Sequence, residues 1–342
     1  MKTCPVCESP NVQKRGKRRG KVRYQCCGCG KWFQINRSKS PNKKRMLLEH
    51  LDGSSFRSLA DRYAISIGSA YNWCTQELKK LPHCGDVTRS YSNRFCGLLE
   101  VDGKFVKVKG YERKIPVLYG IDYLSHDIPT YLLCRSESYQ AGKKLFTSLR
   151  LLNYPLAGLT SDDNKNIYEA CEAIYPGVVS QLCHNHYKEN VRQILQIRQE
   201  EAPASHRLFM KALEALFSKK RSVKELEVIA AKMMRIFGKD PDLLAILADM
   251  QRREKQLFAY QRLKGIPTTT NLIESYNSHL QGRLETIKGF ESFQHADLWL
   301  NGYFLRRRTK KFTDCTKRFK YLNGKTSLQE SLSVNKKYPI VF

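Results

Sequence analysis

Three acidic positions, far apart in the sequence, constrain the fold of this chain more than any other feature. Asp102 stands in a strand-like segment that begins at Leu98, the pair Asp162-Asp163 follows a short apolar run, and Glu274 lies near the start of a helix-like segment. Three carboxylates that a fold brings together can hold two divalent metal ions about 3.5–4 Å apart, which suits attack on a phosphodiester. The sequence therefore predicts a fold that gathers these acids at one place.

Composition indicates a globular protein with an anionic partner. Its 342 residues, 41% of them hydrophobic, are enough for two or three domains with a sizeable core. The formal net charge of +28 exceeds what solubility needs, so we expect a nucleic-acid partner. No apolar run approaches the roughly 18–20 residues of a membrane span, and a cysteine cluster directly follows the first three residues. We therefore expect a cytoplasmic protein without a signal peptide, in a reducing compartment.

Two Cys-x-x-Cys motifs predict a zinc ribbon over residues 1–35. Cys4 and Cys7 form the first motif and Cys26 and Cys29 the second, and each motif aims two thiolates at one tetrahedral ion. A redox pair or a chance cluster is the less favoured alternative. The basic spacer between the motifs is suited to lie along a phosphate backbone. Its predicted DNA contacts are Lys14, Arg15, Arg18 and Arg19.

Residues 44–80 predict a helix-turn-helix DNA-binding domain. The apolar spacing indicates helices at Phe56–Tyr63 and Ser66–Leu78, joined by a short turn. In such a unit the second helix enters a DNA groove, which would turn Ser69 and Asn72 toward the bases. An ordinary helical hairpin is the alternative. The position of these helices between a predicted zinc site and a predicted catalytic domain favours DNA recognition.

Segment 95–198 alternates strand and helix patterns in an order that indicates the fold class. Its predicted strands are Phe95–Val108, Ile115–Asp122, Ile128–Cys134, Leu156–Ser161 and Val178–Cys183, and its predicted helices are Ser138–Leu152, Asn164–Ile174 and His184–Arg198. Three strands followed by helix, strand, helix, strand and helix is the order of the RNase H-like (retroviral-integrase-like) α/β fold. Neighbouring strands of that sheet would place Asp102 and Asp162 at one edge. Asp122 also ends a strand, but we interpret it as a turn residue and only a reserve ligand.

The rest of the chain completes this core after an insertion. Residues 199–266 repeat apolar positions at helical period and predict an all-helical insertion. Its predicted helices include His206–Phe217, Val223–Phe237 and Asp242–Phe258. Residues 267–312 return to the core with the helix of Glu274, for which Thr268–Asn271 are strong capping residues, and with a basic C-terminal part. Residues 313–342 are interpreted as a C-terminal tail.

Cys183 and His186 follow the fifth predicted strand and share one face of the next helix. Such a pair can bind a metal ion, but a closed zinc site takes four ligands and only two are in view. We therefore favour a buried, hydrogen-bonded structural pair over a metal site.

Several short motifs resemble those of DDE transposases from bacterial and archaeal insertion sequences, in the group related to Mutator-like elements. They are Leu-x-Val-Asp102-Gly, Ser-Asp162 with Ile167 downstream, Tyr175-Pro176, Cys183-x-x-His186 followed by Asn190, Thr-Thr-Asn-Leu-Ile-Glu274-Ser, and Lys288-Gly289-Phe290. The resemblance covers roughly residues 95–310, and a zinc ribbon with a helix-turn-helix is a familiar front end of such proteins. Asp163 departs from the pattern, which commonly has a small residue there. The spacing to Ile167 favours Asp162 as the metal ligand, with Asp163 as the alternative.

The resemblance implies a chemistry and a set of partners. Asp102, Asp162 and Glu274 would be the catalytic residues and would bind two Mg²⁺ ions, for which Mn²⁺ could substitute, whereas Zn²⁺ in the N-terminal motifs would be structural. The protein would bind double-stranded DNA at the terminal inverted repeats of an insertion sequence, cleave it and join it to target DNA. It would act as a homo-oligomer, at least a dimer, associated with the nucleoid of a prokaryote and not with a membrane.

Basic residues in and beyond the helix of Glu274 are the predicted phosphate contacts of the catalytic domain. They are Arg283, Lys288 and the run Arg306-Arg307-Arg308 with Lys310-Lys311. A solvated charged face is the alternative interpretation of that run.

Two other functions fit part of the sequence. A domesticated transposase that acts as a sequence-specific DNA-binding regulator would keep the N-terminal domains and lose the chemistry. A nuclease of the same fold would cut DNA without joining it. The presence of all three acids argues against the regulator, and a zinc ribbon that recognises specific ends argues against the nuclease.

Overall fold

The computed structural model describes residues 3–18, 21–34 and 42–342, and the chain divides into two compact units, residues 1–46 and 47–342. The first unit contains a three-stranded antiparallel sheet in the order β1-β2-β3. Its strands are β1 (Val12–Arg18), β2 (Lys21–Cys26) and β3 (Trp32–Gln34).

Four cysteines come together in this first unit. The Sγ atoms of Cys4 and Cys29 are 3.6 Å apart, and those of Cys7 and Cys26 are 3.5 Å apart. All four sulfur atoms lie within 4.8 Å of one another. Thiolates that share one ion at Zn–S distances of about 2.3 Å have a comparable spacing.

Among the described residues, four helices precede the central sheet in the sequence. They are α1 (Lys43–Leu51), α2 (Phe56–Tyr63), α3 (Ile67–Leu78) and α4 (Cys84–Tyr91). Ser55 and Ser66 cap α2 and α3, and Ala64, with a left-handed φ of 50°, makes the turn between them. Helix α4 was not predicted, because its cap is the ring of His83, which accepts a hydrogen bond from the Gly85 amide, and histidine is not among the preferred capping residues.

The central sheet has five strands in the order β6-β5-β4-β7-β8. They are β4 (Leu98–Val106), β5 (Ile115–Asp122), β6 (Tyr131–Leu133), β7 (Gly158–Ser161) and β8 (Val179–Leu182). The pairs β4–β5 and β5–β6 are antiparallel, whereas β4–β7 and β7–β8 are parallel. Glu100 is paired with Thr160 in the parallel β4–β7 register. Asp102 and Asp162 each follow two residues later, so they lie level with each other toward the carboxyl ends of these strands.

One face of the sheet packs against two helices and thereby decides which side chains point to the other face. These helices are α5 (Tyr139–Leu151) and α6 (Lys165–Ile174). Leu99 and Val101 belong to the apolar cluster on this side. Successive strand residues point to opposite faces, so Glu100 and Asp102 point away from that cluster.

The segment after the sheet is helical. It consists of α7 (His184–Ile194), α8 (Ala204–Phe217), α9 (Val223–Phe237), α10 (Pro241–Arg252) and α11 (Glu254–Leu257). Phe209, Leu213 and Leu243 are at the centre of its apolar core. The single helix expected over 242–258 is interrupted at Arg253, whose φ of −98° and ψ of 12° leave the helical region.

The C-terminal part returns to the sheet. It contains α12 (Asn271–Ile287), α13 (Phe293–Thr309) and α14 (Ser327–Ser331). The expected tail is folded: Leu322 and Leu328 are fully buried, because apolar positions in 313–342 pack against the rest of the unit. In the described part of the chain, none of the helices has the length and apolar character that crossing a membrane requires.

Arg308 forms a buried ion pair with Asp127, so the expected phosphate contact at Arg308 is wrong. Two guanidinium nitrogens donate to Asp127 at 2.9 and 2.8 Å, and both side chains are almost fully inaccessible. The third nitrogen donates to the Cys84 carbonyl and to the Thr88 hydroxyl at 2.9 Å. The hydroxyl of Ser331 in α14 donates to the same carboxylate at 2.6 Å.

We expect Arg308→Met to lower the free energy of unfolding by about 3–5 kcal/mol, because the substitution leaves the Asp127 carboxylate buried without its cation. Urea denaturation measures the change. The matched control is Arg89→Ala, which removes an arginine from an exposed ion pair with Asp86 and should change stability by no more than about 1 kcal/mol. Equal effects of the two substitutions would contradict the structural role of Arg308.

Candidate active site

Asp102 lies on β4 with its carboxylate turned toward α12. Its Oδ1 accepts a hydrogen bond from the Gly103 amide, and its Oδ2 accepts one from the Asn277 side chain, both at 2.7 Å. Burial raises the pKa of Asp102 to about 6, and the nearby charges of Asp162 and Glu274 act in the same direction. The three predicted acids are therefore within electrostatic reach of one another.

The structure separates the two candidates for the second acid. Asp162 follows β7, and its Oδ1 accepts a hydrogen bond from the Ser161 hydroxyl at 3.1 Å. Asp163 is ion-paired with Arg253 of the helical segment at 2.5 Å. Of these two residues, it is Asp162 whose charge helps to raise the pKa of Asp102. The geometry thus turns Asp162 toward the other acids and Asp163 toward the helical segment.

Glu274 lies in the first turn of α12. The Thr270 hydroxyl donates to Glu274 Oε1 at 2.6 Å. Thr270 is the N-cap residue of α12, but its side chain makes no capping hydrogen bond. The expectation that this threonine caps the helix is therefore wrong, because its hydroxyl faces the glutamate and the Cys183 sulfur instead.

Cys183 and His186 stand beside Glu274. Ligand atoms of these three residues lie within 4.8 Å of one another, and His186 Nδ1 is 3.9 Å from Glu274 Oε1. A hydrogen bond with Cys183 and the nearby acids raise the pKa of His186 to about 9. Burial alone would raise the pKa of Cys183, but hydrogen bonds with His186 and Thr270 hold it below its ordinary value. The pair is thus hydrogen-bonded and adjoins the acids.

Glu100 was missed by the sequence analysis. Its side chain is buried on the same face of β4 as Asp102, and Oε2 accepts a hydrogen bond from the Ile273 amide of α12 at 3.0 Å. Burial raises its pKa to about 8. This carboxyl group supplies the helix cap that Thr270 does not provide. The period-2 pattern Glu100-x-Asp102 was the available signal, because it places both acids on one face.

Glu137, just before α5, is a further acid that the sequence analysis missed. Burial raises its pKa to about 7, and the charges of Asp162 and Asp102 contribute. A β-carbon added at Gly103 would lie 1.9 Å from Glu137 Oε1. Glycine at position 103 therefore allows Glu137 to approach β4. No sequence pattern marked this residue, because it lies in a connection between elements.

Several of the predicted DNA contacts have accessible side chains. Lys14, Arg15, Arg18, Asn72 and Lys288 are exposed, and Ser69 and Arg283 are half-exposed. Arg19 lies outside the described residues. Nothing in the fold opposes a nucleic-acid contact at these positions.

The arginine run at the end of α13 has three different environments. Arg306 makes two hydrogen bonds to the Asp52 carboxylate, at 2.6 and 3.2 Å. Arg307 is mostly buried, with its guanidinium 4.6 Å from the centre of the Tyr276 ring. Arg308 lies in the interior. The alternative interpretation of this run as a solvated charged face is therefore wrong.

Comparisons with known proteins identify one family. The model of the family described as "Transposase, Mutator family" matches residues 87–296, a range that contains Asp102, Asp162 and Glu274. Among solved structures, the chain is similar to the Drosophila P element transposase strand transfer complex, with 10% identity over 80% of this chain and 94% of that chain and a TM-score of 0.43. No curated protein matches the sequence significantly.

We expect Glu100→Leu, which keeps the side-chain volume but removes the acceptor, to loosen the first turn of α12. An unsatisfied buried amide costs about 1–3 kcal/mol, so hydrogen exchange at the Ile273 amide should accelerate by about 5- to 100-fold. Glu100→Gln retains an acceptor oxygen and is the control, with exchange close to that of the wild type. Unchanged exchange in the leucine variant would refute the capping role.

Proposed function

We propose that this chain, since it belongs to the Mutator family of transposases, binds the ends of a mobile DNA element, cleaves strands there and joins them to target DNA. The observation that carries this proposal is the convergence of Asp102, Asp162 and Glu274 from β4, the end of β7 and the start of α12. These three residues are the proposed catalytic residues.

The donor set fits a divalent cation. Carboxylate oxygens are the ligands that Mg²⁺ prefers. Among the described residues, no Lys or Arg forms an ion pair with Asp102, Asp162 or Glu274, and the cation beside them is His186, whose Nδ1 is 3.9 Å from Glu274 Oε1. One histidine only partly balances three carboxylates. Magnesium ions held there, or manganese in their place, would polarise the scissile phosphate and lower the pKa of the attacking water. Asn277 and Thr270 orient the Asp102 and Glu274 carboxylates for this role.

We propose that the catalytic domain has an RNase H-like fold. Support comes from the strand order, with three antiparallel strands extended by two parallel ones. The proposed core comprises residues 95–198 and 267–312, and residues 199–266 form the inserted helical domain. This insertion offers a surface for transposon ends or for a second protomer in a homo-oligomer that pairs two ends.

The N-terminal segments are proposed to read DNA. The four clustered cysteine sulfurs support a structural zinc ribbon in residues 1–35. Helices α2 and α3, joined by the tight turn at Ala64, support a helix-turn-helix within residues 44–80. Asn72 is exposed on α3, which supports its proposed contact with bases in a groove.

We expect Asp102→Asn, Asp162→Asn and Glu274→Gln each to reduce Mg²⁺-dependent cleavage of transposon ends by more than about 100-fold. A loss of about 100-fold is the most that is usual when a residue only hydrogen-bonds to a metal ligand, so a larger loss indicates a direct ligand. End binding should remain, because none of these residues is a predicted DNA contact. Gel electrophoresis of labelled ends measures both activities. Asp163→Asn is the matched control, and loss of cleavage in that variant with full cleavage by Asp162→Asn would reverse the assignment.

Strand transfer separates a transposase from a nuclease. Given ends that already carry a free 3′-hydroxyl, the wild-type protein should join them to a target plasmid, and Glu274→Gln should not, because both steps use the same carboxylates. Gel mobility of the joined product measures the reaction. Cleavage without joining would favour the nuclease, and end binding without either reaction would favour the regulator.

A further inference from the structure

A cavity of about 430 Å³ lies beside α12, next to the catalytic face of that helix. Its walls come from the turn after β5, from α12, from the end of α13 and from segment 312–319. The volume falls in the range of about 300–1,000 Å³ that is usual for small-ligand sites. Ser275, the residue after Glu274, lines this cavity, so an occupant would be close to the acids.

Arg307 supplies a cation that lacks a carboxylate partner. Its neighbours Arg306 and Arg308 are ion-paired, with Asp52 and Asp127. Among the described residues, no carboxylate lies within 4 Å of the mostly buried Arg307, and its Nε has no hydrogen-bond partner. A buried charge without a counter-ion is costly, so an anion is the natural ligand of this guanidinium.

The opposite wall is aromatic. The Arg318 guanidinium lies 4.6 Å from the centre of the Tyr123 ring and 4.9 Å from that of Phe319. His126 packs against Phe319 at 4.4 Å between ring centres, and its buried Nε2 has no hydrogen-bond partner. Aromatic rings with an arginine are the surface on which nucleic-acid bases stack.

Two carboxylates also line the cavity, and neither neutralises Arg307. Glu100 holds the Ile273 amide, and Asp314 is exposed. Burial lowers the pKa of His279, which also lines the cavity, and the positive charge of Arg307 lowers it further although Asp314 opposes the shift. The interior is therefore more suited to an anion than to a cation.

We propose that this cavity binds a single unpaired nucleotide of a DNA strand, with its phosphate on Arg307 and its base against Phe319 and Arg318. A base inside a duplex is stacked and cannot enter a cavity, so the nucleotide has to leave the double helix. The source of the nucleotide rests on the proposed function. Ser275 lines the cavity and follows Glu274 in α12, so a nucleotide bound there would hold its strand next to Glu274.

Saturation-transfer difference NMR with deoxyadenosine monophosphate tests the site on the full chain without divalent metal. Saturation should reach the adenine H2 and H8 protons, and Phe319→Leu and Arg307→Gln should weaken binding by about 5- to 100-fold, as expected on loss of a stacking or charged contact. Arg318→Ala should do the same, and because Arg318 is exposed, this variant remains informative if a buried substitution unfolds the protein. Arg89→Ala, which removes an equal charge elsewhere, should bind as the wild type does.

A competition experiment identifies the source of the nucleotide. A DNA hairpin with one unpaired adenine should displace the mononucleotide at a concentration at least about 5-fold lower than the fully paired hairpin. Equal displacement by the two hairpins, equal binding by all variants, or no binding by the wild type would each overturn the proposal. Neither experiment involves cleavage, so a protein that cleaves ends without binding the mononucleotide refutes the cavity alone. A protein that binds it but never cleaves ends refutes the proposed function alone.

Discussion

The buried ion pair between Arg308 and Asp127 is the interaction on which the second unit, residues 47–342, depends. It joins the connection after β5 to α4, α13 and α14, because the two charged groups also bind Thr88 and Ser331. Two charges removed from water are tolerated only when every donor and acceptor is used, and here the guanidinium and the carboxylate each have several partners. The pair also helps to position α12. The carbonyl of His126, the residue before Asp127, accepts a hydrogen bond from the hydroxyl of Tyr276 in that helix. A contact far from the acids thus helps to fix the helix that carries one of them.

The position of α12 over the sheet is set by three polar contacts. Glu100 binds the Ile273 amide, Asn277 binds Asp102, and the Tyr119 hydroxyl on β5 donates to Asn277 at 2.7 Å. These contacts place Glu274 opposite the edge where Asp102 and Asp162 are level. Burial raises the pKa values of the carboxyl groups in these contacts, and the pKa reaches about 8 at Glu100. Raised pKa values mark carboxyl groups whose negative charge is unfavourable without a nearby cation, so a cation bound among them would stabilise the charged form.

Much of the secondary structure could be predicted, because local patterns determine it. Helices at Phe56–Tyr63 and Val223–Phe237 and the strand at Ile115–Asp122 have the predicted bounds, since serine caps and apolar periodicity are local signals. Helix α4 and the break at Arg253 were not predicted. In both cases a residue without a strong local preference is held by a residue far away in the sequence, His83 by stacking on the Tyr131 ring and Arg253 by the Asp163 carboxylate.

The sequence by itself determined that three acids, two cysteine motifs and a large positive charge occur in one chain, and its alternating patterns indicated which strands would carry the first two acids. Only the tertiary structure decided how the charged side chains are used. Asp163 is bound to Arg253, 90 residues away, Arg308 to Asp127, 181 residues away, and Arg306 to Asp52, 254 residues away. Arg307, between two paired arginines, has no carboxylate partner among the described residues and borders a cavity. Local pattern fixes the face of an element on which a charge lies, but its partner is chosen by packing over long distances in the sequence.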